Sequence, residues 1–259
     1  MSIGVCITAR LGSSRLPEKH LKTAGGRPLE EWLIRRINAT FSSELAEGSV
    51  EIVLTTTDEP QNEAFRQFEF LGVRVFMGSR SNIPLRHLQA ARAFSFDAVL
   101  AVDGDDILCA TEAMRGVYDG LWQGALGVKT EGLPLGMNAW GYKTEFLAHS
   151  LKGREQDTLE TGWGRIFDSS SLQKVFFHDA DPGGALRYTL DYPEDYEFFR
   201  ALIEHMGDSV VAASAQTIIA RTLANGFQNL NAIRVAEYWD NFRAKQAQEA
   251  RAVARQEKT

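Results

Sequence analysis

Short apolar runs alternate along the chain with stretches whose apolar residues recur every three or four positions. Residues 3–8 and 98–102 read as buried strands, and residues 50–55 and 72–76 as two more. Between them, residues 28–37, 61–71 and 85–94 carry the helical spacing, the first with Pro28 near its opening turn. Strands separated by helices of this length predict an α/β fold with a parallel sheet of right-handed βαβ units. From residue 125 the pattern loosens, with Gly127, Gly132, Gly136, Gly141, Gly153, Gly162 and Gly164 interleaved with Trp140, Tyr142 and Trp163. That composition suits irregular walls around a ligand. Strand-like residues 173–177 and 186–190 precede a strong helix at 193–206, and an Ala-, Gln- and Arg-rich helix is expected at about 232–257. No repeat, low-complexity tract or linker divides the chain, so residues 1–259 are expected to form one domain with an irregular region at about 125–185.

Composition narrows the class. A chain of 259 residues, 44 % hydrophobic and 24 % charged, is long enough for one large α/β core. A net charge of −6 argues against nucleic acid as a partner. Cys6 and Cys109 are too few for a disulfide framework or a zinc site and are expected to be small buried hydrophobes. The apolar runs are too short to span a membrane, and no basic stretch precedes the first of them as in a signal peptide. A cytoplasmic enzyme is the expectation.

Against this acidic background the segment after the first strand stands out: Ala9-Arg10-Leu11-Gly12-Ser13-Ser14-Arg15-Leu16-Pro17-Glu18-Lys19. A cationic loop with Gly and Ser at the carboxyl end of a parallel strand is where an open α/β sheet holds anions. It lacks Gly-x-Gly-x-x-Gly, and Gly25-Gly26-Arg27 lacks the spacing of a P-loop. It resembles the Ala-Arg-x-Gly-Ser-x-Arg-Leu-Pro-x-Lys opening of the cytidylyltransferases. These include the CMP-3-deoxy-manno-octulosonate synthetases, the acylneuraminate cytidylyltransferases and, most similar here, the spore coat polysaccharide biosynthesis protein F group. Glu18 departs from the pattern, because these families usually carry Gly there. If that Gly serves a positive φ, Glu18 is strained.

The resemblance implies a doubly wound, mostly parallel sheet of the nucleotide-diphospho-sugar transferase type. It implies transfer of CMP from CTP to a sugar hydroxyl, with release of pyrophosphate, for polysaccharide or glycan synthesis by a homodimer. A 2-keto-3-deoxy acid sugar is the expected acceptor. Ala9, Arg10, Gly12, Ser13, Arg15 and Lys19 would cradle the triphosphate, and Arg10, Arg15 and Lys19 would neutralise the leaving pyrophosphate. Phe76-Met77-Gly78-Ser79-Arg80-Ser81-Asn82-Ile83-Pro84-Leu85-Arg86 resembles a further stretch of the spore coat group and marks Ser79 and Arg86 as nucleotide contacts.

Acidic residues complete the expected chemistry. Asp103-Gly104-Asp105-Asp106 follows a buried strand, and its carboxylates would repel one another without a cation, for which Mg²⁺ is suited. The alternative is an Asp-rich turn capping the next helix. By resemblance Asp105 is a metal ligand, and Asp103 occupies a neighbouring contact position. Leu190-Asp191-Tyr192-Pro193-Glu194-Asp195 is similar to the family's second acidic segment, which makes Asp191 the other metal ligand. Glu194 and Asp195 are expected to serve the helix N-terminus instead. The five histidines show no metal-ligand spacing, although His20 is placed to approach phosphate.

A sugar-nucleotide glycosyltransferase using Asp103-Gly104-Asp105 as its metal motif is the rival class, and a non-catalytic nucleotide-binding protein a weaker one. Against the former, a diphosphate donor leaves the Arg-Leu-Pro-x-Lys cations without a γ-phosphate. For the carboxylate of an acid sugar the loosened region offers Lys129, Lys143, Arg154 and Arg165. Asn138, Trp140, Tyr142, Glu160 and Trp163 are candidates for hydroxyl contacts and a stacking wall.

Overall fold

The computed structural model describes residues 1–178, 181 and 184–256. Four apolar runs form the parallel strands β1 (Ile3–Thr8), β2 (Val50–Thr57), β3 (Val73–Gly78) and β4 (Ala98–Asp103). Three further strands, β5 (Gly127–Glu131), β6 (Trp140–Lys143) and β7 (Leu172–Phe176), extend the sheet to the order β3-β2-β1-β4-β6-β5-β7. Within this sheet, among the described residues, only β6 runs antiparallel to its neighbours. The sheet is therefore mostly parallel, as expected.

Alternation within β1 shows why these runs are apolar throughout. Ile3, Val5 and Ile7 enter one core, with α1 (Leu29–Thr40), α3 (Thr111–Trp122) and α5 (Pro193–Met206). Cys6 enters the other, with α2 (Ile83–Phe94), α4 (Thr144–Leu151) and Trp163. Helices cover both faces, so both faces of β1 are apolar. Both cysteines are buried and unpaired, and burial pushes the Cys6 thiol up to about 12.

Several expectations need correction. Residues 186–190 form no strand; Arg187 alone makes a bridge, to Leu135. Their amides are used elsewhere: Tyr188 donates to the Leu135 carbonyl at 2.7 Å and Leu190 to that of Asp105 at 2.8 Å. This segment crosses the carboxyl ends of the strands instead of joining them, and so delivers Asp191 over β4. The helix expected at 61–71 is Pro60–Leu71 with 3₁₀ geometry. The loosened region after residue 125 holds β5, β6 and α4, although its residues 179, 180, 182 and 183 lie outside the described residues. Of the expected C-terminal helix, Arg234–Gln256 is described as α7; residue 257 lies outside. α3 and α6 (Ala215–Ala224) had no counterpart in the sequence reading.

Glu18 lies at φ 50°, ψ 30°, in the left-handed region. This turn leaves Glu18 exposed and directs Lys19 inward. For an L-residue the conformation costs roughly 1–2 kcal/mol, while Gly loses roughly 0.5–1 kcal/mol of extra chain entropy on folding. Glu18→Gly is therefore expected to stabilise the protein by about 0.5–1 kcal/mol, raising Tm by about 1–4 °C in thermal unfolding. An unchanged or lower Tm would show that the turn carries no strain.

Candidate active site

β1 and β4 are neighbours, with Thr8 opposite Asp103. Successive crossovers from β1 lead towards β3, and β4 begins the other half of the sheet, so the cationic and acidic loops leave the sheet together at its switch point. The Gly104 amide donates to the Thr8 carbonyl at 2.8 Å. A Cβ on Gly104 would lie 2.9 Å from Ala9 Cβ and 3.0 Å from Thr8 O, so only Gly allows the two loops to approach this closely. Asn62 pins the other side of the cationic loop. Its Oδ1 accepts from the Leu11 amide at 2.9 Å, while its Nδ2 donates to Thr57 Oγ1 at 2.8 Å.

A cavity of about 470 Å³ opens above these loops. Ala9, Arg10, Gly12, Ser13, Arg15, Lys19, Arg86, Asp103, Asp105 and Asp191 all line it. Ser79 does not. It lines a separate shallow depression with Arg80 and Gln89, and its amide donates to Gln89 Oε1 at 2.9 Å. Arg86 is buried and donates to the Ser79 carbonyl at 2.8 Å. Burial, with the nearby Arg10 charge, pulls its pKa down to about 10, so it remains a cation.

Lys19 joins the two acidic segments. Its Nζ is 2.6 Å from Asp105 Oδ2, 3.4 Å from Asp191 Oδ1 and 2.8 Å from the Leu190 carbonyl. Burial disfavours the ammonium, but Asp105 and Asp191 outweigh burial and hold its pKa above the usual lysine value. Burial likewise works against the Asp191 carboxylate. Lys19, Arg15 at 2.6 Å and Arg187 at 2.9 Å overcome it and lower its pKa. Arg187 is fixed in turn by Asp195, which also accepts from the Asp191 and Tyr192 amides at 2.9 Å each and so caps α5. Arg10 pairs with Glu160 at 3.0 Å in a more exposed contact.

Asp103 reaches solvent within the cavity, yet protein surrounds it at the cavity floor. That burial and the neighbouring Asp105 push its carboxyl up to about 7, and Asp106 is raised for the same first reason. Hard oxygen donors thus face a region that favours added positive charge. Among the described residues no three acidic, His or Cys side chains are already arranged to enclose a metal ion. Asp105 and Asp191 instead offer the one or two carboxylates that Mg²⁺ takes when substrate phosphates complete its shell.

Of the acceptor-contact candidates, Trp140, Glu160 and Trp163 line the cavity, whereas Asn138 and Tyr142 do not. None of the four proposed cations does: Lys129 pairs with Glu131 and Arg165 with Glu249, while Lys143 and Arg154 lie off the lining. Sequence reasoning also missed a wall. Tyr238, Asn241, Phe242 and Lys245 of α7 line the cavity. The helix is tied down by Arg234 to Glu194 at 2.8 Å, Asn241 to Tyr192 Oη at 2.9 Å and Glu249 to Arg165 at 2.7 Å. Only the polar positions within an Ala-rich helix could have signalled this.

Residues 5–132, which hold both the cationic loop and the Asp103 turn, match the family model described as cytidylyltransferase. The chain is 24 % identical over 219 residues to the spore coat polysaccharide biosynthesis protein SpsF of Bacillus subtilis, covering 82 % of this chain and 90 % of that one. It is 31 % identical over 126 residues to the 3-deoxy-manno-octulosonate cytidylyltransferase of Vibrio parahaemolyticus, covering 47 % of this chain and 46 % of the relative. The structure of a cytidylyltransferase from Leptospira borgpetersenii shares the fold, with a TM-score of 0.74 at 21 % identity over 89 % of this chain and 98 % of that one. Such a fold with such a site defines a nucleotidyltransferase. Over residues 5–132 the chain is similar to the cytidylyltransferase family.

Beneath the cavity, buried His87 links β1 to β6. Its Nε2 is 2.6 Å from Thr8 Oγ1 and its Nδ1 2.5 Å from Tyr142 Oη. Burial first, then Arg86, pulls its pKa down to about 3, so the folded ring stays neutral. The unfolded ring takes up a proton below about 6.5, and stability from His87 is therefore lost as pH falls from about 6.5 towards 3. His87→Gln is expected to reduce the slope of unfolding free energy against pH by about 1.4 kcal/mol per pH unit, one proton, between those limits. Urea unfolding at pH 4, 5 and 6 measures the slope; an unchanged slope would mean that His87 charges in the folded state.

Proposed function

We propose that the protein transfers CMP from CTP to a hydroxyl of an acid sugar, releasing pyrophosphate, with Mg²⁺ held by Asp105 and Asp191. The observation that carries this reading is the meeting of Arg10, Arg15 and Lys19 with Asp103, Asp105 and Asp191 in one cavity at the sheet's switch point. The names of the relatives, one acting on 3-deoxy-manno-octulosonate and one in spore coat polysaccharide synthesis, support the class of acceptor.

The attacking sugar oxygen forms a bond to the α-phosphorus as the bond to the β-phosphate bridging oxygen breaks. Negative charge grows on the departing pyrophosphate, and Arg10, Arg15 and Lys19 are the side chains available to neutralise it. The Arg10–Glu160 pair is partly exposed, and pairs of this kind are weak and readily exchanged for phosphate; Arg15 is itself partly exposed, although its partner Asp191 is buried. A bound Mg²⁺ would polarise phosphate and lower the pKa of the attacking hydroxyl. Trp140 and Trp163 give the sugar an apolar wall, and Glu160 a hydroxyl acceptor. Arg86 and Lys245 are cavity cations left for the sugar carboxylate.

Pyrophosphate release from CTP with 3-deoxy-manno-octulosonate and related acid sugars tests the reading. CTP should support turnover and ATP or GTP should not; release from CTP with none of these acceptors would overturn it. In single turnover, Arg15→Ala and Lys19→Ala should each slow chemistry by roughly a hundred- to thousandfold, with CMP affinity nearly unchanged. Loss of CMP binding in both would instead place the base or ribose on this loop. Asp191→Asn should remove turnover, and near-normal activity would exclude Asp191 as a metal ligand.

A further inference from the structure

Two buried ionisable side chains stand behind Asp105 without a part in the chemistry described so far. His20 and Glu30, the latter in the first turn of α1, are both fully buried. His20 Nδ1 is 2.7 Å from Glu30 Oε2. Its Nε2 faces Asp105 Oδ1 at 3.4 Å without a formed hydrogen bond, and among the described residues neither Nε2 nor Glu30 Oε1 has a hydrogen-bond partner. Leaving polar atoms unsatisfied in a core costs stability, and apolar side chains of similar size would avoid that cost.

The ring cannot turn away. Phe65 meets it edge-on with centroids 5.8 Å apart, and Gly104 packs so closely that a Cβ there would lie 3.2 Å from His20 Cε1. Glu30 Oε2 engages Nδ1, which leaves Nε2 as the ring nitrogen that faces Asp105. Nε2 presents a hydrogen to Asp105, because the other tautomer would set a lone pair against a carboxylate.

We propose that Glu30 and His20 are positioning residues that hold the Asp105 carboxylate from behind. Lys19 engages Oδ2 and His20 faces Oδ1, so His20 keeps the carboxylate oriented when Lys19 turns to phosphate. Partners of this kind behind a ligating carboxylate typically affect metal affinity or activity by about 10- to 100-fold. The inference rests on the reading of Asp105 as a metal ligand.

Two substitutions separate positioning from mere structural support. The amide nitrogen of His20→Gln takes the place of Nε2 and still faces Asp105, whereas that of His20→Asn takes the place of Nδ1 and still serves Glu30. Positioning predicts that His20→Asn weakens Mn²⁺ binding, measured by electron paramagnetic resonance on the full chain, at least tenfold, and slows pyrophosphate release similarly. His20→Gln should stay within about threefold of the unaltered protein in both. Equal effects, or the reverse order, would overturn the proposal. Should His20→Asn fail to fold, nitrogen-15 NMR of the unaltered protein decides instead: a protonated Nε2 supports the proposal, and an unprotonated Nε2 at neutral pH overturns it. Asp105→Asn, measured alongside, isolates the underlying reading. If it leaves Mn²⁺ affinity unchanged, Asp105 is no metal ligand, and the order of the His20 variants in pyrophosphate release still decides the positioning role.

Discussion

A single ammonium group organises the site. Lys19 Nζ lies between Asp105 and Asp191, buried, and its charge draws together loops that also meet through Gly104 with Thr8, Leu190 with Asp105 and Arg15 with Asp191. At such depth the Asp191 carboxylate would not stay ionised alone, and neither would the ammonium. The rest follows from bringing them together. Gly104 permits the loops to touch, Glu18 takes a left-handed turn to aim Lys19 inward, and residues 186–190 leave the sheet to carry Asp191 across it.

Around this centre, positive and negative side chains alternate from Arg10 and Glu160 at the rim to Arg187 and Asp195 in the interior. Such a network is stable in the ligand-free protein and also suited to exchange. A polyphosphate brings anionic oxygens that can replace carboxylates around the cations, while a divalent ion can replace the cations around Asp105 and Asp191. The innermost pair, Arg187 with Asp195, lies behind the cavity lining and holds the geometry. The pairs of Arg10, Arg15 and Lys19 face the cavity and are the ones that phosphate and a divalent ion can exchange.

Much of this was legible in the chain. The cationic loop and both acidic segments are contiguous in sequence, and each lies at an element boundary marked by a change of hydrophobic period or by Pro193. What escaped depends on distant pairs. Glu160 meets Arg10 across 150 positions, and Asn62 holds Leu11 across 51. The wall formed by Tyr238, Asn241 and Lys245 belongs to a helix whose composition is mostly Ala, Gln and charged residues, which specifies helix without specifying what it covers. The strand expected at 186–190 failed for a related reason: its apolar residues are buried as expected, but by packing over strand ends and not by pairing in the sheet.

The central claim is that Lys19 exchanges its carboxylate partners for phosphate when nucleotide binds. A crystal structure with CTP and Mg²⁺ tests it most directly. Lys19 Nζ should move beyond hydrogen-bond distance of Asp191 Oδ1 and contact a β- or γ-phosphate oxygen, with Asp105 and Asp191 on the metal. A nucleotide bound elsewhere, with the Lys19 pairs to Asp105 and Asp191 intact, would contradict it.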